Sequence, residues 1–351
     1  MSGVRCGVAP DVCRPPSGFG GLHGNGNGEG LAREVPSMRN AAVLDETFVR
    51  AVASAVPEGS VAANAPLAER TTFRIGGPAQ LLVSPGTLAE AASVWALAKE
   101  AGVPVRALGE GSDLLVADGG VAGVVLAMTD RLGAVRVEGE RLFAEAGATN
   151  AAVSEAACAA GLAGYEFACG IPGSIGGAAI MNAGAYGGQF CDVAESVLCA
   201  DDGGNLLWIP ADEAGWGYRK SRMDDEGLLV LGAALSLSPD DPGLVRDRMD
   251  ELTRRRESKQ PLTLPSAGST FKRPEGHFAG KLVEDAGLRG HRIGGAQVSD
   301  VHAGFVVNAG GATAADVVAL IEHVRAVVDE RFGVLLEPEV RFWGFGEGDG
   351  R

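Results

Sequence analysis

One glycine-rich run constrains this chain more than any other segment: residues 164–188, GYEFACGIPGSIGGAAIMNAGAYGG. Its glycines are too dense for a packed core, because each removes a side chain that a core would bury. Glycine tolerates positive φ and lets the main chain approach a bound molecule closely. The run therefore predicts backbone wrapped around a flat or phosphorylated ligand. Its few side chains of ligand-touching kinds are Tyr165, Glu166, Asn182 and Tyr186.

At 351 residues the chain is long enough for two or three domains, each with its own core. A hydrophobic content of 46% with 21% charged residues is that of an ordinary globular protein. No apolar stretch approaches the roughly 18 residues needed to span a bilayer, so no membrane insertion is expected. The net charge of -15 argues against a sequence-independent grip on nucleic acid. An anionic ligand must then be held by local positive groups. The six cysteines include no CxxC pair, as expected of reduced thiols and a cytoplasmic location. Cys169 reads as a small buried thiol without chemistry. The five histidines show no HExxH or other ligand spacing, so no metal site is expected.

Residues 1–40 are rich in Gly, Pro and polar side chains, lack apolar periodicity, and read as a disordered extension. Globular patterning begins at Ala41. Strand-like AQLLVSP is followed by a helix over residues 87–102, with Thr87 and Glu90 as a capping box and Gly102 as terminator. VPVRAL and VAGVVLAM continue the alternation. A second α/β unit over residues 131–241 starts with AVRVEG and RLFAEAG, passes through a helix at TNAAVSEAACAAG and closes with LLVLGAALSL. PGLVRDRMDELTRRRESKQP is a charged amphipathic helix. The third unit's clearest element is the helix over residues 313–333, where Val317, Leu320, Ile321, Val324, Val327 and Val328 recur at helical spacing behind Thr313 and Asp316.

Two further glycine loops sit beside predicted strands: Arg74-Ile75-Gly76-Gly77, and Gly109-Glu110-Gly111-Ser112-Asp113-Leu114. Successive N–H groups in such turns form concavities for anions, which suits a diphosphate. Neither a complete GxGxxG nor a GxxxxGK[ST] occurs, so a classical dinucleotide fold and a P-loop NTPase both lack support.

Several long segments, in order, resemble the UDP-N-acetylenolpyruvoylglucosamine reductase family from about Asn64 to Gly344. They are NAPLAERTTFRIGG, LGEGSDLLVADGGVAGVVL, the glycine-rich run, GYRKS, the stretch from KQPLTLPSAGSTFKRP to FVVN, and FGVLLEPEVRFWG. The resemblance implies an α+β protein: two α/β subdomains of the vanillyl-alcohol-oxidase-like FAD-binding fold plus a third α/β substrate domain. The expected division is 41–241 for FAD binding (about 41–130 and 131–241), 242–335 for substrate binding, and 336–351 for a C-terminal strand and tail. It also implies an enzyme of peptidoglycan precursor synthesis that uses FAD, with NADPH as co-substrate, to convert UDP-N-acetylglucosamine enolpyruvate to UDP-N-acetylmuramate.

Carried over by motif, the catalytic arginine falls on Arg219, the proton-donating serine on Ser269 and the catalytic glutamate on Glu339. Substrate contacts fall on Tyr218, Lys259 and Arg273. Cofactor contacts are expected at Arg74, Ile75, Gly76, Gly77, Gly109, Gly111, Ser112, Asp113, Leu114, Gly170, Ile171, Pro172, Gly173, Ser174, Gly176, Gly177, Asn182 and Gly184. A monomer is expected. Asp113 departs from the family's usual Asn, exchanging a donor amide for an anion near the flavin phosphates. Arg273, and the lack of a Tyr-bearing insertion between Arg219 and Lys259, match the family's second type.

The residues support this chemistry in their own right. Hydride arriving at C3 of an enolpyruvyl ether pushes charge toward C2 and its carboxylate. Arg219 offers a permanent bidentate cation for that charge. A bare Glu339 there would repel it, so Glu339 is expected to be protonated or closely paired with a cation. Ser269 can protonate a carbanion-like C2. Arg219, Lys220, Arg222, Lys259, Lys272, Arg273 and Lys281 gather in the motif segments, as a diphosphate plus a carboxylate would want. Two rivals remain open: a flavin oxidase of the same superfamily, and a non-catalytic nucleotide-sugar binding protein.

Overall fold

The computed structural model describes residues 44–346. The extension expected over residues 1–40 lies outside them. Three sheets organise the chain. The first runs in the order Val61–Pro66, Pro78–Val83, Val121–Ala127, Val105–Leu108. Its first pair is antiparallel and the other two pairs are parallel. Parallel strands are covered on both faces and so read as unbroken apolar runs, which is why VAGVVLA is buried almost throughout. The helix Leu88–Glu100 makes the crossover and buries Ala91, Ala92, Val94, Trp95 and Ala98. Thr87 caps it by accepting from the Glu90 N–H. The Glu90 carboxylate reaches the Gly86 N–H instead of completing the capping box.

The second sheet is antiparallel throughout, in the order Leu206–Pro210, Ala194–Ala200, Leu229–Ser236, Arg141–Glu145, Val135–Glu138. The helices Asn150–Ala159 and Ile175–Met181 lie in this unit. The two sheets share one core, to which the first gives Leu81, Val83 and Val124 and the second Leu142, Val197 and Leu231.

The third sheet, Arg292–Ile293, Ala296–Val298, Val306–Asn308, packs with the helix Ala314–Phe332. That helix carries the expected Thr313/Asp316 capping box and a left-handed Gly333 at its end. It buries Val317, Leu320, Ile321, Val324 and Val328. This separate core also takes in Phe73, Ile75 and Leu115 from the first unit.

Two connections bear on the site. The helix Pro242–Glu257 packs through Val245 and Met249 against Cys158, on the second unit. The boundary expected at residue 242 falls ahead of a helix that packs on Asn150–Ala159 of the second unit. The strand Arg341–Trp343 leaves the third unit and pairs in parallel with Leu114–Val116 of the first.

Candidate active site

Loops from all three units converge on a cleft of about 470 Å3. One wall is the segment from Gly109 to Leu114, and a second is the segment from Ile171 to Ser174. The loops hold each other. Glu110 accepts from the Gly173 N–H at 2.7 Å, and Ser112 Oγ donates to the Pro172 carbonyl at 2.8 Å. A Cβ on Gly109 would stand 2.4 Å from Ser174 Oγ and would displace that hydroxyl. At Gly177 a Cβ would meet only Ser174 Oγ at 4.0 Å, so the missing side chain there leaves room in the cleft.

Behind the second wall, Tyr165 donates to Asn150 Oδ1 at 2.8 Å, and Asn150 Nδ2 donates to the Ile171 carbonyl at 3.3 Å. Tyr165 is 1% exposed. It belongs to the core rather than to the ligand-touching side chains of the run.

A second cleft of about 440 Å3 adjoins the first, lined by Tyr218, Arg273, Phe278, Lys281 and Arg289 among others. Arg219, Ser269 and Glu339 line both clefts and so stand at their junction. Arg219 Nε donates to Glu339 Oε1 at 2.7 Å, which supplies the close cation expected for that carboxylate. Tyr218 donates its hydroxyl to Glu339 Oε2 at 3.2 Å and accepts the Arg273 N–H at 3.3 Å. Burial alone would ease the proton off Arg219, but the Glu339 carboxylate outweighs it and holds the guanidinium more firmly charged. Burial first, and Glu339 second, push the Tyr218 phenol above its ordinary pKa.

Local backbone explains these positions. Arg219 has φ +55°, in a turn closed by the bridge between Gly217 and Lys220, a conformation few residues with long side chains adopt. Ser269 is held through its neighbour. Thr270 donates its N–H to Gly304 O at 2.9 Å and its carbonyl accepts the Glu339 N–H at 2.8 Å. Its hydroxyl oxygen takes the Val306 N–H at 2.9 Å. Two residues beyond Glu339, Arg341 grips Asp224 through two hydrogen bonds of 2.9 and 2.6 Å.

Of the expected cofactor contacts, Gly109, Gly111, Ser112, Asp113, Leu114, Ile171, Pro172, Gly173, Ser174, Gly177 and Gly184 line the first cleft. Arg74, Ile75, Gly76, Gly77, Gly170, Gly176 and Asn182 do not. Arg74 is exposed and Ile75 is 2% exposed in the third unit's core. A Cβ on Gly76 would strike Val116 at 2.6 Å, and one on Gly77 would strike the Asp118 carbonyl at 2.3 Å. Both glycines thus make close approaches to the segment 116–120. Gly170 abuts Arg256 and Gly176 abuts Ala146. Asn182 is the left-handed end of its helix, with its amide bonded to Gln189 Oε1, the Gly217 carbonyl and the Cys191 N–H.

Tyr218 and Arg273 line the second cleft, whereas Lys259 is exposed and lines neither. Its place near the cleft is taken by Arg256 and Gln260. The expected basic cluster is also divided. Lys220, Arg222, Lys272 and Lys281 are ion-paired with carboxylates. The four described cysteines are free thiols; Cys169 is half-buried with its thiol toward the Met249 carbonyl.

Sequence reasoning missed Trp95, Arg256, Gln260 and Arg341. Only Arg341 carried a readable signal, since it stands two residues from Glu339, which was already singled out.

The donor set fits the cofactor implied above. Among the described residues, three buried side-chain polar atoms lack a hydrogen-bond partner: Trp95 Nε1, Asp113 Oδ2 and Gln260 Oε1. All three residues line the first cleft. Buried polar groups are rarely left unsatisfied, so one cleft collecting all three is shaped for a ligand rich in hydrogen-bonding atoms.

Comparison with known proteins agrees. Residues 79–210 match the model of an FAD binding domain, and residues 260–343 match that of the UDP-N-acetylenolpyruvoylglucosamine reductase C-terminal domain. A protein of Clostridium beijerinckii named UDP-N-acetylenolpyruvoylglucosamine reductase is 48% identical over 82% of this chain and 94% of its own. One of Exiguobacterium sibiricum with the same name is 46% identical over 86% and 99%. The crystal structure of UDP-N-acetylenolpyruvylglucosamine reductase from Thermus caldophilus superposes with a TM-score of 0.66 at 35% identity, covering 81% of this chain and 98% of that one. With relatives this similar over nearly their whole length, the chain belongs to the UDP-N-acetylenolpyruvoylglucosamine reductase family.

Proposed function

We propose that this chain reduces UDP-N-acetylglucosamine enolpyruvate to UDP-N-acetylmuramate, a step of peptidoglycan precursor synthesis, with FAD in the first cleft and electrons from NADPH. The observation that carries this reading is the position of Arg219, Ser269 and Glu339 at the junction of the two clefts. Bound and reduced, FAD supplies the hydride that C3 of the enolpyruvyl group takes up.

The remaining work falls to the chain's own residues. Gly109, Gly111, Ser112, Gly173 and Gly177 offer main chain and small side chains to the cofactor, and Trp95 and Gln260 offer one unpaired donor and one unpaired acceptor. Tyr218, Arg273, Lys281 and Arg289 receive the nucleotide sugar in the second cleft. As charge moves from C3 toward C2 and its carboxylate, Arg219 meets it with a fixed cation. Such a group aimed at developing charge supplies about 3–4 kcal/mol to the transition state. Glu339 orients Arg219 through the 2.7 Å bond. Ser269 gives its proton to C2 and regains one from solvent, which completes the addition of two hydrogens across the double bond.

Both clefts are built by one chain, and among the described residues no helix is long and apolar enough to cross a membrane. We assign the reaction to a monomer in the cytoplasm. The test is an absorbance spectrum taken before and after adding NADPH and then the enolpyruvyl sugar nucleotide. Purified protein should be yellow, bleach with NADPH and regain colour with the sugar nucleotide. A folded protein that binds no FAD refutes the reading, and alcohol oxidation with peroxide release would favour the oxidase.

A further inference from the structure

Three carboxylates and two guanidiniums crowd the junction between the segment Gly109 to Leu114 and the strand Arg341–Trp343. Arg219 is bonded to Glu339, and Arg341 is bonded twice to Asp224. Asp113 is the carboxylate left over, in no ion pair among the described residues, with Oδ2 occluded and without a hydrogen-bond partner. It is fixed there by its backbone, whose carbonyl accepts the Arg341 N–H at 3.0 Å.

An ionised carboxylate with one oxygen occluded and without a partner is disfavoured. A proton removes that penalty and turns the orphaned oxygen into an O–H donor, which then requires an acceptor. Because Asp113 lines the first cleft, a bound molecule can supply one. We propose that Asp113 is kept as a neutral carboxylic acid, and that this protonated form is the one that takes up the cofactor, donating its O–H to an acceptor atom of it. The inference rests on the reading of the cleft as an FAD site.

The surrounding charges agree. Burial first, and the Glu339 carboxylate second, hold the Asp113 carboxyl well above the ordinary carboxylate range, against the pull of Arg341 and Arg219. The other charged groups of the cleft are Arg106, Glu110, Asp224 and Arg256. Glu110 sits on the Gly173 N–H and Asp224 on Arg341, while Arg106 lies over the Trp343 ring. Burial lowers the Arg256 pKa. A bound diphosphate would add negative charge and favour the neutral acid further. Asp113 would then do what an Asn amide does, but only while it keeps its proton.

The test uses the full chain in two measurements. Infrared spectra of the holoprotein at neutral pH should contain a protonated-carboxyl band that shifts on 13C-aspartate labelling and is missing from Asp113→Asn. The FAD dissociation constant of deflavinated protein, read from flavin fluorescence between about pH 5 and pH 9, should weaken about tenfold per pH unit once Asp113 begins to ionise. A wild type that stays flat while keeping the band means that the acid holds its proton throughout, which also supports the inference. The Asn variant should bind FAD with no such slope. Absence of the band overturns the inference, as does an Asn variant whose affinity falls with pH in parallel with wild type. Either result leaves FAD binding intact and the reading of the cleft standing. Failure of both proteins to bind FAD at any pH sinks reading and inference together.

Discussion

Glu339 is tied at both ends: its carboxylate accepts from Arg219 Nε at 2.7 Å, and its backbone N–H donates to the carbonyl of Thr270, the residue after Ser269. The cation, the carboxylate and the hydroxyl are thereby fixed to one another through a single peptide unit. Replacing Arg219 by Lys keeps the charge but loses the planar donor that reaches Glu339 while facing a substrate carboxylate. The expected outcome is a fall in kcat of about 10²–10³-fold with FAD content unchanged. Steady-state kinetics with a flavin assay on the same sample checks it.

Ser269→Ala should separate the two half-reactions. NADPH should still bleach the flavin at the wild-type rate, because no proton from Ser269 is used there. Reoxidation by the enolpyruvyl sugar nucleotide should slow by about 10²–10⁴-fold. Stopped-flow absorbance measures both, and an equal slowing of the two would remove Ser269 from its proposed role.

The buried Tyr165 acts on the cleft through Asn150. Tyr165→Phe strands Asn150 Oδ1 and slackens the residue that holds the Ile171 carbonyl. Chemical denaturation should report a loss of about 1–3 kcal/mol, accompanied by weaker FAD binding. A loss of stability without a change in affinity would break the proposed link to the loop.

Gly77→Ala tests whether the first glycine loop packs or binds. The new Cβ would meet main chain, the Asp118 carbonyl at 2.3 Å and the Gly120 nitrogen at 2.5 Å. Overpacking of this kind costs about 1–3 kcal/mol, and the melting temperature should drop by the same amount with and without FAD. A drop confined to the holoprotein would return Gly77 to the cofactor site.

Acid stability should depend on Asp130, which takes hydrogen bonds from Arg70 at 2.7 Å and Ser84 at 2.6 Å. Burial alone would raise its pKa, but those bonds outweigh burial and hold the carboxyl below the ordinary range. Such a group lends stability that is complete above its unfolded pKa of about 3.9 and is lost as acid titrates the folded form. Between about pH 5 and pH 3 the wild-type melting temperature should fall more steeply than that of Asp130→Asn. Parallel curves would contradict this.

The four longest helices were legible, whereas Glu46–Ser54, Ile175–Met181 and Ala279–Asp285 were not. Thr87, Thr149, Asp241 and Thr313 each cap the helix that follows. Sheet order was not, since pairing joins segments distant along the chain. The edge strands Val61–Pro66 and Leu206–Pro210 gave little signal because much of their length is exposed. The glycine loops were legible as loops but not as to purpose. Gly76 and Gly77 lack side chains so that backbone can meet Val116 and Asp118, whereas Gly177 lacks one so that the cleft stays open. Nothing in the local sequence distinguishes the two demands. Lys259 and Gln260 pose the same difficulty, because adjacent residues beyond a helix end point in different directions and only the three-dimensional turn decides which faces inward.

The parallel pairing of Arg341–Trp343 with Leu114–Val116 has a temporal side. During synthesis, the segment that lines the flavin cleft is made early, yet its companion strand emerges from the ribosome only after the entire third unit. Until then the nascent chain carries an unzipped seam and lacks the carboxylate of residue 339. That seam can therefore close only after the third unit has been made.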